Sequence, residues 1–154
     1  MFKDAMMPLD NALAKKILPP IETFSSPFAK RSGTPGVIRV VFPEFTCVCP
    51  RTGYPDFASI DLYYLPGRLC IELKSWKLYL NSFRMVGAFH ESVCAHLFNT
   101  VKKLIKPRWL LLAGDFFPRG NVNTTVILEE GVRPPAVDFL IKTYGSRARS
   151  FSPR

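Results

Sequence analysis

From Phe89 to Ile105 the chain carries apolar residues at helical spacing: Phe89, Val93, Leu97, Val101, Leu104 and Ile105 share one stripe. A stripe of that period has to be buried, so it demands a second apolar layer elsewhere in the chain. Lys102, Lys103 and Lys106 lie off the stripe and crowd its C-terminal end, where positive charge suits the helix dipole. Pro107 stops the helix. At the other end His90 projects to the apolar side in the first turn, and Glu91 sits at the stripe's edge.

The second layer reads as a sheet. Gly36–Phe42 is β-branched and predicts a first strand. Ala58, Ile60, Leu62 and Tyr64 alternate with Ser59, Asp61 and Tyr63, which predicts a second strand of period two. Between them, Pro43 to Pro55 holds three prolines and a glycine and reads as a loop. Pro66-Gly67 is a turn signal, so Leu69–Glu72 is expected to return beside the second strand as a hairpin. A shorter helix is expected from near Ser75 towards Met85, broken at Gly87. Arg108–Phe117 and Asn121–Leu128 predict two further strands joined by Pro118-Arg119-Gly120. The order implies an α+β fold: an antiparallel sheet with two helices packed on one face.

With 154 residues, 47% hydrophobic and 21% charged, the chain suits one folded domain. Residues 1–36 read as an N-terminal arm, in which Asp10 caps a short helix that Pro19-Pro20 stops after Leu18. Residues 37–130 form the expected domain, and 131–154 a basic, partly disordered tail. No apolar run is long enough for a membrane span, and the N-terminus, interrupted by Asp4 and Asp10, is not a secretory signal. A cytoplasmic protein is therefore expected. The net charge of +9 points to an anionic partner, either a phosphorylated cofactor or RNA. Cys47, Cys49, Cys70 and Cys94 are expected to be thiols. Cys47-x-Cys49 with His90 or His96 could be drawn as a zinc site, but the spacing is too tight and no second pair follows; no metal is expected.

Two places carry the chemistry. Cys49-Pro-Arg-Thr-Gly-Tyr-Pro-Asp56 sets a thiol and a carboxyl at the ends of a turn-rich loop that can double back. A cysteine nucleophile acts as thiolate, and a neighbouring carboxylate can take its proton and pass it to a substrate nitrogen. A buried structural cysteine near a surface aspartate would leave the same pattern. The second place is Cys70–Glu91, which packs Glu72, Lys74, Lys77, His90 and Glu91 into mostly apolar, aromatic chain. Glu91 at a helix start suits the N–H and amine edge of a guanine-like ring, and Glu72 could do similar work. Arg119-Gly120, between strands, could hold a phosphate.

Glu72-Leu-Lys-Ser-Trp-Lys-Leu-Tyr79 resembles the signature of the QueF family, the NADPH-dependent 7-cyano-7-deazaguanine reductases. Phe45-Thr46, Cys49-Pro-x-Thr-Gly-x-Pro-Asp56-Phe57-Ala58, Ser82-Phe83-Arg84, Gly87-x-Phe-His-Glu91 and Pro107-Arg108 match in order and spacing. Ile21-Glu-Thr-Phe24 is similar to the family's lead-in segment. The likeness covers roughly residues 20 to 130, as a single-module member.

The resemblance implies a tunnelling fold whose subunits join edge to edge into rings, with active sites between them. It implies reduction of a nitrile to a primary amine, on the route to the tRNA base queuosine. Carried over by motif, Cys49 would form a covalent thioimide, Asp56 would donate the proton, and His90 would lie beside the nitrile. Glu72 and Glu91, with Ile71, Leu73 and His90, would bind the deazaguanine. Lys74, Ser75, Arg119 and Gly120 would face NADPH. Relatives often carry Arg-Gly-Gly where this chain has Arg119-Gly120-Asn121. The implied partners are the small substrate and further copies of the chain, with no membrane and no stable nucleic acid. One rival is a QueF-like amidinotransferase, in which ammonia attacks the thioimide on a tRNA-bound base without NADPH. The other is a non-catalytic basic RNA-binding module, which leaves Cys49, Asp56 and Glu91 without a reason.

Overall fold

The computed structural model describes residues 7–10, 18–29, 36–135 and 137–138. Its strands are β1 (Met7–Pro8), β2 (Thr23–Ser25), β3 (Ile38–Val48), β4 (Pro55–Leu65), β5 (Leu69–Ile71), β6 (Val86–Gly87), β7 (Trp109–Arg119) and β8 (Val122–Gly131). Helix α1 spans Leu73–Asn81 and tightens into a 3-10 turn over Ser82–Met85; α2 spans His90–Ile105. One sheet runs β1-β6-β3-β4-β7-β8, and β2 pairs with β5 in a separate two-stranded ladder. The neighbours β3-β4-β7-β8 are antiparallel, while β6 adds short parallel contacts to β1 and β3 at one edge. The expected α+β architecture, with two helices on a sheet, is what the chain adopts.

Alternation along β4 decides which face is covered. Asp56, Ala58, Ile60, Leu62 and Tyr64 turn towards the helices and are buried. They meet Trp76, Tyr79 and Leu80 of α1, and Val93, Cys94, Leu97, Phe98, Val101 and Ile105 of α2. The stripe read from the sequence is thus the contact face of α2, except at its start. Phe89 is 51% exposed, because it is the N-cap and its extended backbone turns it off the helical face. The helices are tied to each other by Tyr79 Oη and His96 Nε2, 2.6 Å apart. On the opposite face Tyr63, Trp109, Leu111 and Val137 make a small second cluster.

Four boundaries differ from the sequence reading. Pro43 does not end the first strand: β3 continues to Val48, leaving only residues 49–54 as the loop. Phe42 pairs with Ile60 and Phe45 with Ala58, so Pro43 and Glu44 together oppose Ser59. This bulge takes the proline out of the ladder, where its missing N–H would have broken a bond. Leu69–Glu72 does not form a hairpin with β4, because β3 and β7 already occupy both of its edges; β5 pairs instead with β2. The first helix starts at Leu73 rather than near Ser75, since Glu72 caps it, and it breaks into the 3-10 turn at Ser82. Strand β8 runs three residues further than expected, to Gly131. The expected N-terminal helix and the disordered end of the tail fall largely on residues outside those described. Within the arm, β1 and β2 each add a strand to the body.

Candidate active site

Residues 49–54 close on themselves. The Cys49 N–H donates to the Tyr54 carbonyl at 2.8 Å, and the Gly53 N–H donates to the Cys49 carbonyl at 2.8 Å. Gly53 has φ 75°, a left-handed conformation that glycine adopts without a Cβ penalty. The closed loop holds the half-buried Cys49 at the end of the sheet. Burial opposes ionisation of its thiol. The Thr52 hydroxyl, the Thr52 and Arg51 backbone N–H groups and the Arg119 guanidinium outweigh that, and hold the pKa below the ordinary thiol value.

Asp56 is the second residue of β4 and only 3% exposed. A carboxylate so placed needs partners. Arg119 Nη1 donates to its Oδ1, and His90 Nε2 lies 3.4 Å from its Oδ2. The His90 ring stacks on Phe116 at 3.7 Å and 6°, which fixes its plane at the start of α2. Arg119 Nη2 also donates to Thr52 Oγ1 at 3.2 Å, and the guanidinium favours the Cys49 thiolate. Contact with Asp56 above all raises the Arg119 pKa, so its charge is fixed.

Four of the residues singled out in the sequence therefore meet: Cys49, Asp56, His90 and Arg119. Exposed Glu91 follows His90 on the first turn of α2. Ile71, Glu72, Leu73, Lys74 and Ser75 lie elsewhere. Ile71, Glu72 and Leu73 line a groove of ≈ 340 Å³ with Phe24, Ile38 and Tyr64. Tyr64 is eight residues along β4 from Asp56, which at the rise of a strand is about 26 Å. Within one protomer the two groups occupy opposite ends of the sheet.

Glu72 accepts the N–H groups of Lys74 and Ser75 at 2.9 and 2.7 Å, which lowers its pKa. Ser75 Oγ donates to the Glu72 carbonyl at 2.8 Å and accepts the Glu22 N–H at 2.9 Å, so this buried hydroxyl joins arm, strand and helix. Exposed Lys74 has no ion pair among the described residues, and Gly120, with φ 57°, has nothing within 4 Å of where a Cβ would stand. Each is a position that a phosphate group can approach, although within one protomer the two lie at opposite ends of the sheet; Ser75 is engaged in the fold. Cys47 and Cys94 are driven up to about 12, chiefly by burial, which removes them as nucleophiles. Among the described residues no three His, Cys, Asp or Glu side chains converge as metal ligands.

Thr52 and Phe116 had not been singled out for roles. Thr52 could have been found as a hydroxyl three residues after the thiol in a glycine turn. Phe116 shares the β7 face of Leu110 and Leu112, a signal that does not distinguish a stacking platform from a core residue.

A perturbed thiol, a buried aspartate, an arginine and a histidine at one end of the sheet define an α+β protein with a candidate nucleophilic centre. The chain belongs to the QueF family. A family model described as QueF-like protein matches residues 55–135. A protein of Anaeromyxobacter sp. (strain K), named NADPH-dependent 7-cyano-7-deazaguanine reductase, is 47% identical over 117 residues, covering 76% of this chain and 93% of its own. Proteins of the same name from Nitrosococcus oceani and Campylobacter lari are 47% and 49% identical, covering 71% and 58% of this chain and 82% and 71% of theirs. Among solved structures, an archaeosine synthase QueF-Like in the apo form aligns with TM-score 0.60 and 22% identity. That alignment covers 66% of this chain and all of the other, and it speaks for the fold alone. No helix among the described residues is long and apolar enough to cross a membrane.

Proposed function

We propose that this chain reduces the nitrile of 7-cyano-7-deazaguanine to 7-aminomethyl-7-deazaguanine with NADPH, through a thioimide on Cys49. The observation that carries the reading is that Arg119 joins buried Asp56 to Thr52 in the closed loop of Cys49, whose thiol is held below its ordinary pKa. The Cys49 sulfur adds to the nitrile carbon, the carbon–nitrogen π pair moves to nitrogen, and Asp56 delivers there the proton that left the thiol. His90, fixed on Phe116, stands against the same carboxyl group. Bound NADPH supplies hydride, two equivalents for the change from nitrile to amine.

The site is completed between protomers. Tyr64, which lines the groove with Glu72, lies about 26 Å along β4 from Asp56 within one chain, too far for the groove to hold a base whose nitrile meets Cys49. Exposed apolar side chains cluster near both ends: Tyr54, Phe57, Met85, Phe89, Phe117 and Val122 near Cys49, and Phe24 and Leu73 near Glu72. Such patches on a folded surface mark association, and a head-to-tail contact that closes gives a ring. Strand β8 is also the last strand of the sheet among the described residues, an invitation to edge-to-edge pairing. Closure of the interface over the thioimide keeps water from hydrolysing it.

The test is NADPH absorbance with 7-cyano-7-deazaguanine, on wild type and Cys49→Ala. The reading requires two NADPH consumed per amine formed, and none in the variant. An adduct on Cys49 without NADPH consumption would transfer the chain to the amidinotransferase chemistry. Neither adduct nor turnover would reject both.

A further inference from the structure

We infer that Arg119, with Thr52, is a catalytic clamp that joins the Cys49 nucleophile to the Asp56 proton donor in the unliganded protein. The contacts are specific. Arg119 Nη1 donates to Asp56 Oδ1 and Nη2 donates to Thr52 Oγ1 at 3.2 Å, in the closed loop that carries Cys49, whose thiolate the guanidinium favours.

A backbone irregularity puts it there. Leu110, Leu112, Gly114 and Phe116 of β7 face the helices, and regular alternation would send Arg119 to the other face. Phe116 pairs with Thr124 and Arg119 with Val122, so Phe117 and Pro118 together oppose Asn123. This bulge shifts the pleat by one residue and swings Arg119 onto the helix side, where Asp56 lies. Gly120 and Asn121, with φ 57° and 65°, then form the two-residue turn that starts β8.

Donor counting extends the clamp to Thr52. Its hydroxyl oxygen accepts the Tyr54 N–H at 3.3 Å and Arg119 Nη2 at 3.2 Å, which uses both lone pairs. The remaining O–H is left free to donate, and Thr52 is among the groups that favour the Cys49 thiolate three residues away.

The chemical consequence, which rests on the reductase reading, concerns where one negative charge sits. When the thiol has passed its proton to Asp56 for attack, the charge lies on the Cys49 sulfur. Once the C–S bond forms and Asp56 protonates the nitrogen, it lies on the Asp56 carboxylate. Arg119 holds Asp56 and, through Thr52, the loop that carries Cys49, so the charge moves without leaving the neighbourhood of its counter-ion, and little reorganisation is needed.

The deciding readout needs neither nitrile nor NADPH: the rate of Cys49 alkylation by iodoacetamide across pH, for wild type, Arg119→Gln, Arg119→Lys and Thr52→Val. The expected result is an upward displacement of the rate–pH midpoint by about one unit or more in Arg119→Gln, partly restored by lysine. Thr52→Val should also shift upward, and it tests the clamp should Arg119→Gln fail to fold. Formation of the nitrile adduct should slow at least about tenfold in Arg119→Gln. Unchanged alkylation profiles in folded Arg119→Gln and Thr52→Val would overturn the clamp, leaving Arg119 as a cofactor ligand at most. A shifted profile in a protein that reduces no nitrile would uphold the clamp and reject the reductase.

Discussion

The sulfur of Cys94 occupies the space that a side chain at Gly114 would need: a Cβ there would lie 2.5 Å from Sγ, and 3.2 Å from Phe116. Cys94 is on α2 and Gly114 on β7, so the pair sets how closely the helix approaches the sheet. Gly114→Ala is therefore expected to destabilise by about 1–3 kcal/mol, the usual result of overpacking a buried site. Cys94→Ala in the same chain should recover part of that loss. The coupling, about 0.5 kcal/mol or more in a double-mutant cycle by chemical denaturation, checks the contact. Simple additivity would mean the clash is relieved elsewhere.

Burial separates the four thiols. Cys49 is the half-buried one, with its pKa held down, whereas Cys47 and Cys94 are pushed to about 12 and Cys70 is 1% exposed. At neutral pH iodoacetamide is expected to label the native protein once per chain, at Cys49, and all four cysteines after denaturation. Peptide mass spectrometry reads the sites. Labelling of Cys47 at a comparable rate would contradict the packing around β3.

The raised groups also give stability a direction with pH. Cys47 and Cys94 rise from 9.0 to about 12 and Tyr64 from 10.0 to about 12, each mainly through burial. Above the ordinary values the unfolded chain loses these protons while the folded chain keeps them. Their contribution is complete below pH 9 and is lost as pH rises towards 12. The Tm is thus expected to fall steadily between pH 9 and 11, less steeply in Cys47→Ala.

Much of this fold could be read from the sequence where one face had to be buried. The α2 stripe located a helix over Phe89–Ile105, one residue from its observed start, and the period-two run marked the middle of β4. Reading failed where a local signal was overruled at a distance. Pro43 looked like a strand end, but a bulge against Ser59 absorbed it. Leu69–Glu72 looked like half of a hairpin, but β7, more than forty residues later, holds that edge of β4. The motif pointed to Cys49 and Asp56, yet nothing local placed Arg119 between them. That needs a register shift in β7, and register is a property of two paired strands rather than of one.

Asp56→Asn separates proton donation from folding. Asparagine keeps the shape and can still accept from Arg119, so a folded protein is expected despite the partly exposed arginine losing its charged partner. It cannot shuttle the proton, so nitrile reduction should fall about 10²–10⁴-fold, the usual range for a general acid. Cys49 should still be alkylated. Wild-type turnover in folded Asp56→Asn would remove Asp56 from the chemistry.

The separation of Cys49 from Glu72 along the sheet permits a sharper test of the shared site. Cys49→Ala and Glu72→Gln are each expected to be inactive alone, the first lacking the proposed nucleophile and the second the carboxylate proposed to grip the base. Glutamine still offers an acceptor to the Lys74 or Ser75 N–H, so the start of α1 is disturbed little. When equal amounts are unfolded together and reassembled, a site between protomers draws its thiol from one chain and its carboxylate from the next. Random mixing in a closed ring then leaves about one site in four with both groups intact, and about a quarter of wild-type activity should return. A site contained within one chain would regain nothing, because no chain carries both residues. Size-exclusion chromatography of the mixture confirms that assembly occurred, so an inactive but assembled mixture would count against the interface site itself.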